Sequence, residues 1–463
     1  MIDIIRFFSA ILIALGILQL PSVQYTPLEN RVYCDTPIIV EPDESKFIKV
    51  IAPDTGEDIY QTTERVDFGY RYGPSLIYNA DGSIDAFFAA PGRLDEWDWI
   101  TYRHSPDGGE NWTDELRVLC PTPDSLDYLS CCDPGVIKIG DYYYIGYTST
   151  TNEDGIDNNV FIARSFRPEG PYEKWNGNGW GGKPQPMIDY DGDPSTFGAG
   201  EPSFVLMDDT LYIYFTWRDG ELNQTRVATA DVSSENWPAS LQYQGVAITH
   251  KDGASDSADI KYIEDYGNFI AINTVDRFTD ESSVGIYMSN DGMTFAESCS
   301  LKTNISATCH NSGISSRPNG HIRLEDEIFI AYAYGNEWGL WNTRMHKVEI
   351  SLTNNADLSD YDNQNAKTIA EARKPLWYSD CIGISTDPHE LIISQSDYGC
   401  FIDVYKFDST LESKKILSGI TLSGYDENII STNGRFIKPV AQGQTFVTAE
   451  WNNHTVQFVV TVK

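Results

Sequence analysis

The sequence predicts an all-β chain, built as a five-bladed β-propeller with a smaller β-domain behind it. Three observations lead there. Among 463 residues, tyrosine (27) and phenylalanine (20) are plentiful while helical patterns are scarce, the bias of chains that form pleated sheets. A unit of short strand, tight turn and aromatic strand occurs five times. The five copies are evenly spaced, which is the mark of stacked or radial repeats.

The clearest copy runs from Cys132 to Tyr147, with the turn at Gly140-Asp141. The others begin at Gly73, Glu201, Asp259 and His321 and lead into Ile84–Phe88, Leu211–Phe215, Phe269–Ile272 and Ile328–Tyr332. Taking Gly73, Asp133, Glu201, Asp259 and His321 as anchors, subtraction gives spacings of 60, 68, 58 and 62 residues. A third strand keeps step at Arg103-His104-Ser105, Ala163-Arg164-Ser165, Arg226-Val227-Ala228 and Tyr287-Met288-Ser289. Four-stranded meanders arranged around an axis make a propeller. The first strand of each blade then lines the axis, so the five anchors converge at one end of a central funnel.

In chain order, Phe7 to Leu20 is an apolar run behind Arg6. It suits the core of a signal peptide over 1–24 and is short for a bilayer span. Pro21-Ser22-Val23 is a poor cleavage site, which leaves an uncleaved N-terminal anchor as the alternative; no other stretch suits membrane insertion. The expected location is secreted or cell-surface. Residues 25–65 are polar, carry Pro27, Pro37, Pro42 and Pro53, and read as an extended lead-in packed on the propeller. The blades occupy 66–372. From 375 to 463 the strands are short and alternating, without an anchor of the earlier kind.

Lys and Arg total 33 against 68 Asp and Glu, a formal charge of −35. Such a surface repels nucleic acid and anionic lipid, so neither is an expected partner. Of the eight cysteines, Cys299 with Cys309 and Cys381 with Cys400 are close enough in sequence to bridge, and Cys131 or Cys132 could reach Cys120. No CxxC spacing supports a metal site.

The chemistry rests on the anchors. Cleavage of a glycosidic bond needs one carboxyl group to protonate the leaving oxygen and a second, ionised one. Asp133, Glu201 and Asp259 at one phase of a repeat supply such a set, with a third carboxylate to hold or orient the acid. His321 is the fifth anchor and a substrate-binding candidate, as are the tryptophans Trp97, Trp99, Trp180 and Trp338 near the blade mouths, since sugars stack on such rings. Ser105-Pro106-Asp107-Gly108-Gly109-Glu110-Asn111-Trp112 and Ser289-Asn290-Asp291-Gly292-Met293-Thr294-Phe295 fit Asp-box hairpin turns. They read as structural turns; a sialidase would need an arginine cluster and usually six blades.

Cys132-Asp133-Pro134-Gly135-Val136-Ile137, then Tyr142-Tyr143-Tyr144-Ile145, resembles the "D-P-[SG]-V-I … Y-Y-L" opening of glycoside hydrolase family 43. Gly170-Pro171-Tyr172-Glu173-Lys174-Trp175 resembles that family's "G-P-[FY]-x-x-W" loop, and Glu201-Pro202-Ser203-Phe204 ahead of Asp208-Asp209 its second "D-P-S-x-F" unit. The resemblance spans the propeller and implies a glycosidase acting by inversion on arabinose-, xylose- or galactose-containing polysaccharide or oligosaccharide. It implies Asp133 as general base, Glu201 as general acid and Asp259 as the residue that positions the acid. The family's first-blade aspartate is replaced by Gly73, with Asp67 as the reserve. No cofactor is required, though the family's axial histidine suggests a divalent cation such as calcium beside His321. Two alternatives stand beside this reading: a sugar-binding propeller without catalysis, and a five-bladed glycosidase of another family with retaining chemistry. Ile430 to Ala449, closing with Phe458-Val459-Val460-Thr461-Val462, is similar to the bacterial Ig-like domain of group 2, which implies a β-sandwich.

Overall fold

The computed structural model describes residues 40–62, 69–92, 96–151, 155–220, 222–250, 255, 258–356, 383–388, 390–407, 413–452 and 454–463. The signal segment, Asp67 and Cys381 lie outside the described residues. Apart from one short 3₁₀ turn, Trp237–Ser240, the named elements are all strands.

Five antiparallel meanders follow one another. Sheet I is Tyr72–Tyr78, Ile84–Pro91, Asp98–Ser105 and Leu116–Leu119. Sheet II is Cys132–Ile139, Tyr142–Thr150, Asn158–Ser165 and Glu173–Lys174. Sheet III is Gly198–Met207, Thr210–Asp219, Leu222–Asp231 and Gln242–Thr249; it touches sheet II through the pair Gly198 and Asn158. Sheet IV is Ala258–Ile263, Asn268–Val275, Ser283–Ser289 and Ala296–Leu301. Sheet V has Cys309–Ile314, Ile328–Glu337 and Leu340–Thr353.

The first strands of the five sheets neighbour one another in cyclic order, with V returning to I. Separate apolar cores fill the gaps between consecutive sheets. Phe87, Tyr102, Val136 and Tyr147 pack between I and II, and Ile272, Ile286, Ile314 and Ile330 between IV and V. Because each sheet is covered on both faces, Ile84–Pro91, Asn158–Ser165 and Ser283–Ser289 are buried throughout rather than at alternate positions. Near the axis the first strands approach so closely that a Cβ on Gly135 or Gly313 would lie 2.0 Å from the carbonyl oxygen of Pro202 or Pro74. Only glycine leaves room there.

The lead-in does more than pack on the ring. Phe47–Ile51 and Glu57–Tyr60 both pair antiparallel with Leu340–Thr353 and form the outer edge of sheet V. A boundary at 66 therefore falls inside the ring's own chain. The junction is locked by a fully buried ion pair, Arg344 Nε to Asp58 Oδ1 at 2.7 Å.

The fifth anchor is also corrected. The first strand of sheet V is Cys309–Ile314, and His321 sits in the two-residue strand His321–Ile322, parallel to Ala258–Ile263. The segment leading to it crosses the far end of the axis. Carbonyls of Ser316, Pro318, Asn319 and Gly320 accept from the amides of Tyr78, Lys138, Leu206 and Tyr262 at 2.7–3.0 Å. Those amides close the first strands of sheets I to IV, so this segment forms a floor. Gly320-His321-Ile322 precedes an aromatic strand at the expected spacing, which is why the pattern points to it.

Both Asp boxes are hairpin turns. Ser105 Oγ accepts from Gly109 N at 2.7 Å and Asp107 Oδ1 from Asn111 N at 2.7 Å, with a matching set at Ser289 and Asp291. Cys299 and Cys309 are buried and form no disulfide, and neither do Cys120, Cys131, Cys132 and Cys400. The C-terminal residues form three small sheets around one core that includes Ile384, Val404, Ile437, Val447 and Phe458. His454–Val462 alternates between buried and half-buried positions. This part packs against the outer edge of sheet I, and a cleft lined by Val118, Pro121, Phe446 and Phe458 lies where they meet.

Candidate functional site

Four first strands carry the same irregularity at the end opposite the floor. The pairing register slips between Tyr72 and Ser75, Cys132 and Gly135, Gly200 and Ser203, and His310 and Gly313. The slipped residues Gly73, Asp133, Glu201 and Asn311 have φ of 58°, 48°, 54° and 47°. A bulge of this kind bends the strand and re-aims a side chain. Together with Asp259, the four line one open recess.

Asp259 reaches the recess differently. Its strand is regular, with Asp259 opposite Ile272. Its carboxylate accepts from Ser203 Oγ at 2.8 Å, from Ile314 N at 2.8 Å and from Lys261 Nζ at 2.5 Å. It is thus tied to sheets III and V as well as its own, and it is not at the phase of Asp133 and Glu201.

Glu201 donates its amide to Thr148 Oγ1 at 2.7 Å, and Asn311 Nδ2 lies 3.4 Å from Glu201 Oε1. At Gly73, a Cβ would stand 3.3 Å from Asp133 Cα and 3.5 Å from Asp133 Oδ1. The Asp133 carboxylate therefore lies over the ground that a side chain on sheet I would take. Beside it is a buried carboxyl, Asp98, which accepts from Tyr70 Oη at 2.7 Å and Ser130 Oγ at 3.2 Å. Burial, reinforced by the charge of Asp133 and opposed by the Tyr70 and Ser130 hydrogen bonds, pushes Asp98 up to about 7.

The tryptophans divide. Trp338 is 73 % exposed at the recess end, with Phe278 and Trp341 at ring centroids of 5.5 Å and 5.1 Å. Trp341 in turn meets Tyr72 at 5.7 Å and His310 at 4.4 Å, so aromatic rings descend from the rim to the neighbourhood of Asp133. Trp97 is exposed at the same end, against Gly155. Trp99, two residues on, points the other way: it is 2 % exposed, under the Arg117 guanidinium, with its indole N–H given to Glu96. Trp180 packs on Tyr144 and Arg164 and donates to the Glu235 carbonyl at 3.1 Å, toward the floor end. Neither Trp99 nor Trp180 lines the recess.

His321 does not line it either. Its Nδ1 is 2.7 Å from Glu264 Oε1 and its Nε2 2.7 Å from the Leu206 carbonyl, at the floor. With both ring nitrogens facing protein oxygens, His321 does not fit a cation ligand. Among the described residues no group of three or more His, Cys, Asp or Glu is arranged to hold a metal.

Asn311 and Asp98 join the site without having been singled out by pattern. Asn311 had a signal: Asn311-Ser312-Gly313-Ile314 repeats the bulge residue, spacer, glycine and apolar residue of Asp133-Pro134-Gly135-Val136. Asp98 had none, since it comes from the third strand of its sheet.

No protein-family model matches the sequence, and no curated protein matches it. Among solved structures, the chain is similar to a thermostable family-43 glycoside hydrolase at 13 % identity and a TM-score of 0.44, covering 63 % of this chain and 96 % of that one. It is similar to a family 117 glycoside hydrolase of the marine bacterium Zobellia galactanivorans at 11 % identity and a TM-score of 0.48, covering 72 % and 100 %. It is also similar to an endo-arabinase from Bacteroides thetaiotaomicron at 15 % identity and a TM-score of 0.42, covering 62 % and 96 %.

Proposed function

We propose that the chain is a secreted glycoside hydrolase on a five-bladed propeller, with an Ig-like β-sandwich as its C-terminal part. The observation that carries this reading is the pair Asp133 and Glu201. They sit on neighbouring sheets, both in left-handed backbone at a bulge, and both line one recess. Strained positions of this kind cluster where side chains must be aimed.

In the proposed mechanism Glu201 gives its proton to the glycosidic oxygen as that bond breaks. Asp133 takes a proton from the water that attacks the sugar carbon from the opposite face, which inverts the centre. Asp259, saturated by Ser203, Ile314 and Lys261, holds the strands that carry Glu201 rather than moving a proton. Trp338, with Phe278, and Trp97 offer stacking faces at the rim. The motif resemblance supports an arabinose-, xylose- or galactose-containing chain as substrate.

Gly73 favours a second reading. With no side chain at the sheet I anchor, the recess lacks the first-sheet carboxylate of the family pattern, as a sugar-binding ring without catalysis would.

Hydrolysis of a panel of aryl glycosides and of arabinan, xylan and galactan separates the two, with the anomer of the first product followed by NMR. Release of sugar with inverted configuration is expected. Binding without release would establish the sugar-binding ring, and a retained anomer would overturn inversion.

A further inference from the structure

Sheet I offers no side chain at its anchor, yet it brings a carboxyl to the site from another strand. Asp98 opens the third strand of sheet I at the recess end, opposite Pro91, and is 8 % exposed. Its bonds come from two neutral hydroxyls, Tyr70 and Ser130. The titratable groups facing it are Tyr70 and Tyr72 from the sheet I side and Cys132 and Asp133 from sheet II. The nearby cation, Arg71, is turned away into a bidentate pair with Glu115. Among the described residues, then, no cation bonds Asp98. A carboxyl buried without a counter-charge is costly. An asparagine could accept from the same two hydroxyls at lower cost, so packing alone does not account for an acid here. Asp133, meanwhile, leans over the empty position at Gly73, which is on the same sheet as Asp98.

We propose that Asp98 is a positioning residue for Asp133, a buried carboxyl that replaces the missing sheet I anchor by setting the charge balance of the recess. This rests on the hydrolase reading above. Neutral, Asp98 adds no charge beside Asp133. Ionised, it adds negative potential that holds the proton of Glu201 to higher pH. Because burial and Asp133 bring its titration to about 7, the change falls in the neutral range.

Two measurements test it. In the first, the full chain labelled with carboxyl-¹³C aspartate is titrated by NMR. One carboxyl is expected to titrate near neutrality, to vanish in Asp98→Asn, to move down in Asp133→Asn and to move up in Tyr70→Phe, which loses a stabilising donor. No neutral titration, or one that survives Asp98→Asn or ignores Asp133→Asn, overturns the proposal. This arm needs no activity, so it separates failure here from failure of the hydrolase reading. In the second, kcat/KM is followed against pH. Wild type and Asp98→Asn should agree on the acid side, where Asp98 is protonated, while the alkaline limb of Asp98→Asn falls roughly one unit lower. Tyr70→Phe keeps the carboxyl and serves if Asp98→Asn does not fold. Profiles that run parallel at every pH would reduce Asp98 to a structural residue and overturn the proposal.

Discussion

Ser203 on sheet III gives its hydroxyl to the carboxylate of Asp259 on sheet IV at 2.8 Å, while the Ile260 amide donates back to Ser203 at 2.9 Å. The other oxygen of Asp259 takes the Ile314 amide of sheet V at 2.8 Å. One carboxylate thus ties three sheets at the axis, directly under the recess. Its cation, Lys261, has a side chain only 5 % exposed. Asp259→Ala would leave that ammonium buried without its partner, a loss of roughly 3–5 kcal/mol. Asp259→Asn, which still accepts from Ser203 or Ile314, should lose less. Denaturant melts of the two variants check the order; a wild-type midpoint for Asp259→Ala would show that the tie is not used.

The second prediction concerns ring closure. Asp58 and Arg344 are both fully buried, and Tyr334 also donates its hydroxyl to Asp58 at 2.8 Å. Asp58→Ala strands the guanidinium and should cost roughly 3–5 kcal/mol. Deleting the chain through Tyr60 removes both outer strands of sheet V and should destabilise more than the point change. Urea unfolding of both proteins measures this, and a deletion milder than Asp58→Ala would contradict the closure.

His346 gives a pH dependence. Its Nε2 meets the Tyr332 hydroxyl at 2.6 Å and its Nδ1 the Asp54 carbonyl at 3.2 Å, an arrangement suited to the neutral ring. Burial pushes it down to about 4 from the ordinary 6.5. Between those values the unfolded chain binds a proton that the folded one refuses. Stability from this group is therefore present above about 6.5 and declines as pH falls toward 4, by roughly 3 kcal/mol in all. His346→Gln should be less stable at neutral pH but lose less over that window. Equal slopes for the two proteins would remove His346 from the account.

Gly73 supplies the fourth. Asp133 and Glu201 hold the same left-handed conformation without being glycine, at φ of 48° and 54°. Gly73→Asp is therefore expected to fold, with a smaller loss than the roughly 1–2 kcal/mol that alanine incurs in this region, because a short polar side chain can bond locally. Its carboxylate would stand against Asp133 and raise the proton affinity of both, so the acid limb of the rate profile should move to higher pH. An unmoved acid limb in a folded Gly73→Asp would mean that Asp133 is not the base.

These residues also show where sequence alone suffices. The unit from Cys132 to Tyr147 is legible because the strands, the turn and the bulge residue are contiguous. So are Asp133, Glu201 and Asp259, which stand in short anchor motifs. Trp97 and Trp99 are two residues apart, a spacing that strand alternation would put on one face; Trp97 precedes the strand Asp98–Ser105 and stays exposed, while Trp99 lies within it and is buried. His321 stood in for Asn311 because a crossing segment repeats the local pattern of a first strand. Asp58 and Arg344 are 286 residues apart, and Asp98 meets Asp133 only once sheets I and II are stacked. No local pattern records contacts of that kind.

The last prediction separates acid from base. An inverting enzyme leaves room for water, so its two carboxyl groups stand roughly 6.5–9.5 Å apart. In the proposed mechanism, Glu201→Gln removes the proton donor. Substrates whose leaving group needs protonation should then lose most of their rate, roughly 100-fold or more, while aryl glycosides with acidic phenols should lose far less. Asp133→Asn removes water activation, which every substrate needs, and should depress both classes alike. The Asn311 amide lies 3.4 Å from Glu201, so Asn311→Ala should act through Glu201 and reproduce a weaker form of its leaving-group dependence. Azide as an added nucleophile sharpens the test. It needs no deprotonation, so it should restore turnover of an activated aryl glycoside in Asp133→Asn, with the glycosyl azide as product. If azide instead rescues Glu201→Gln and not Asp133→Asn, the two roles are exchanged.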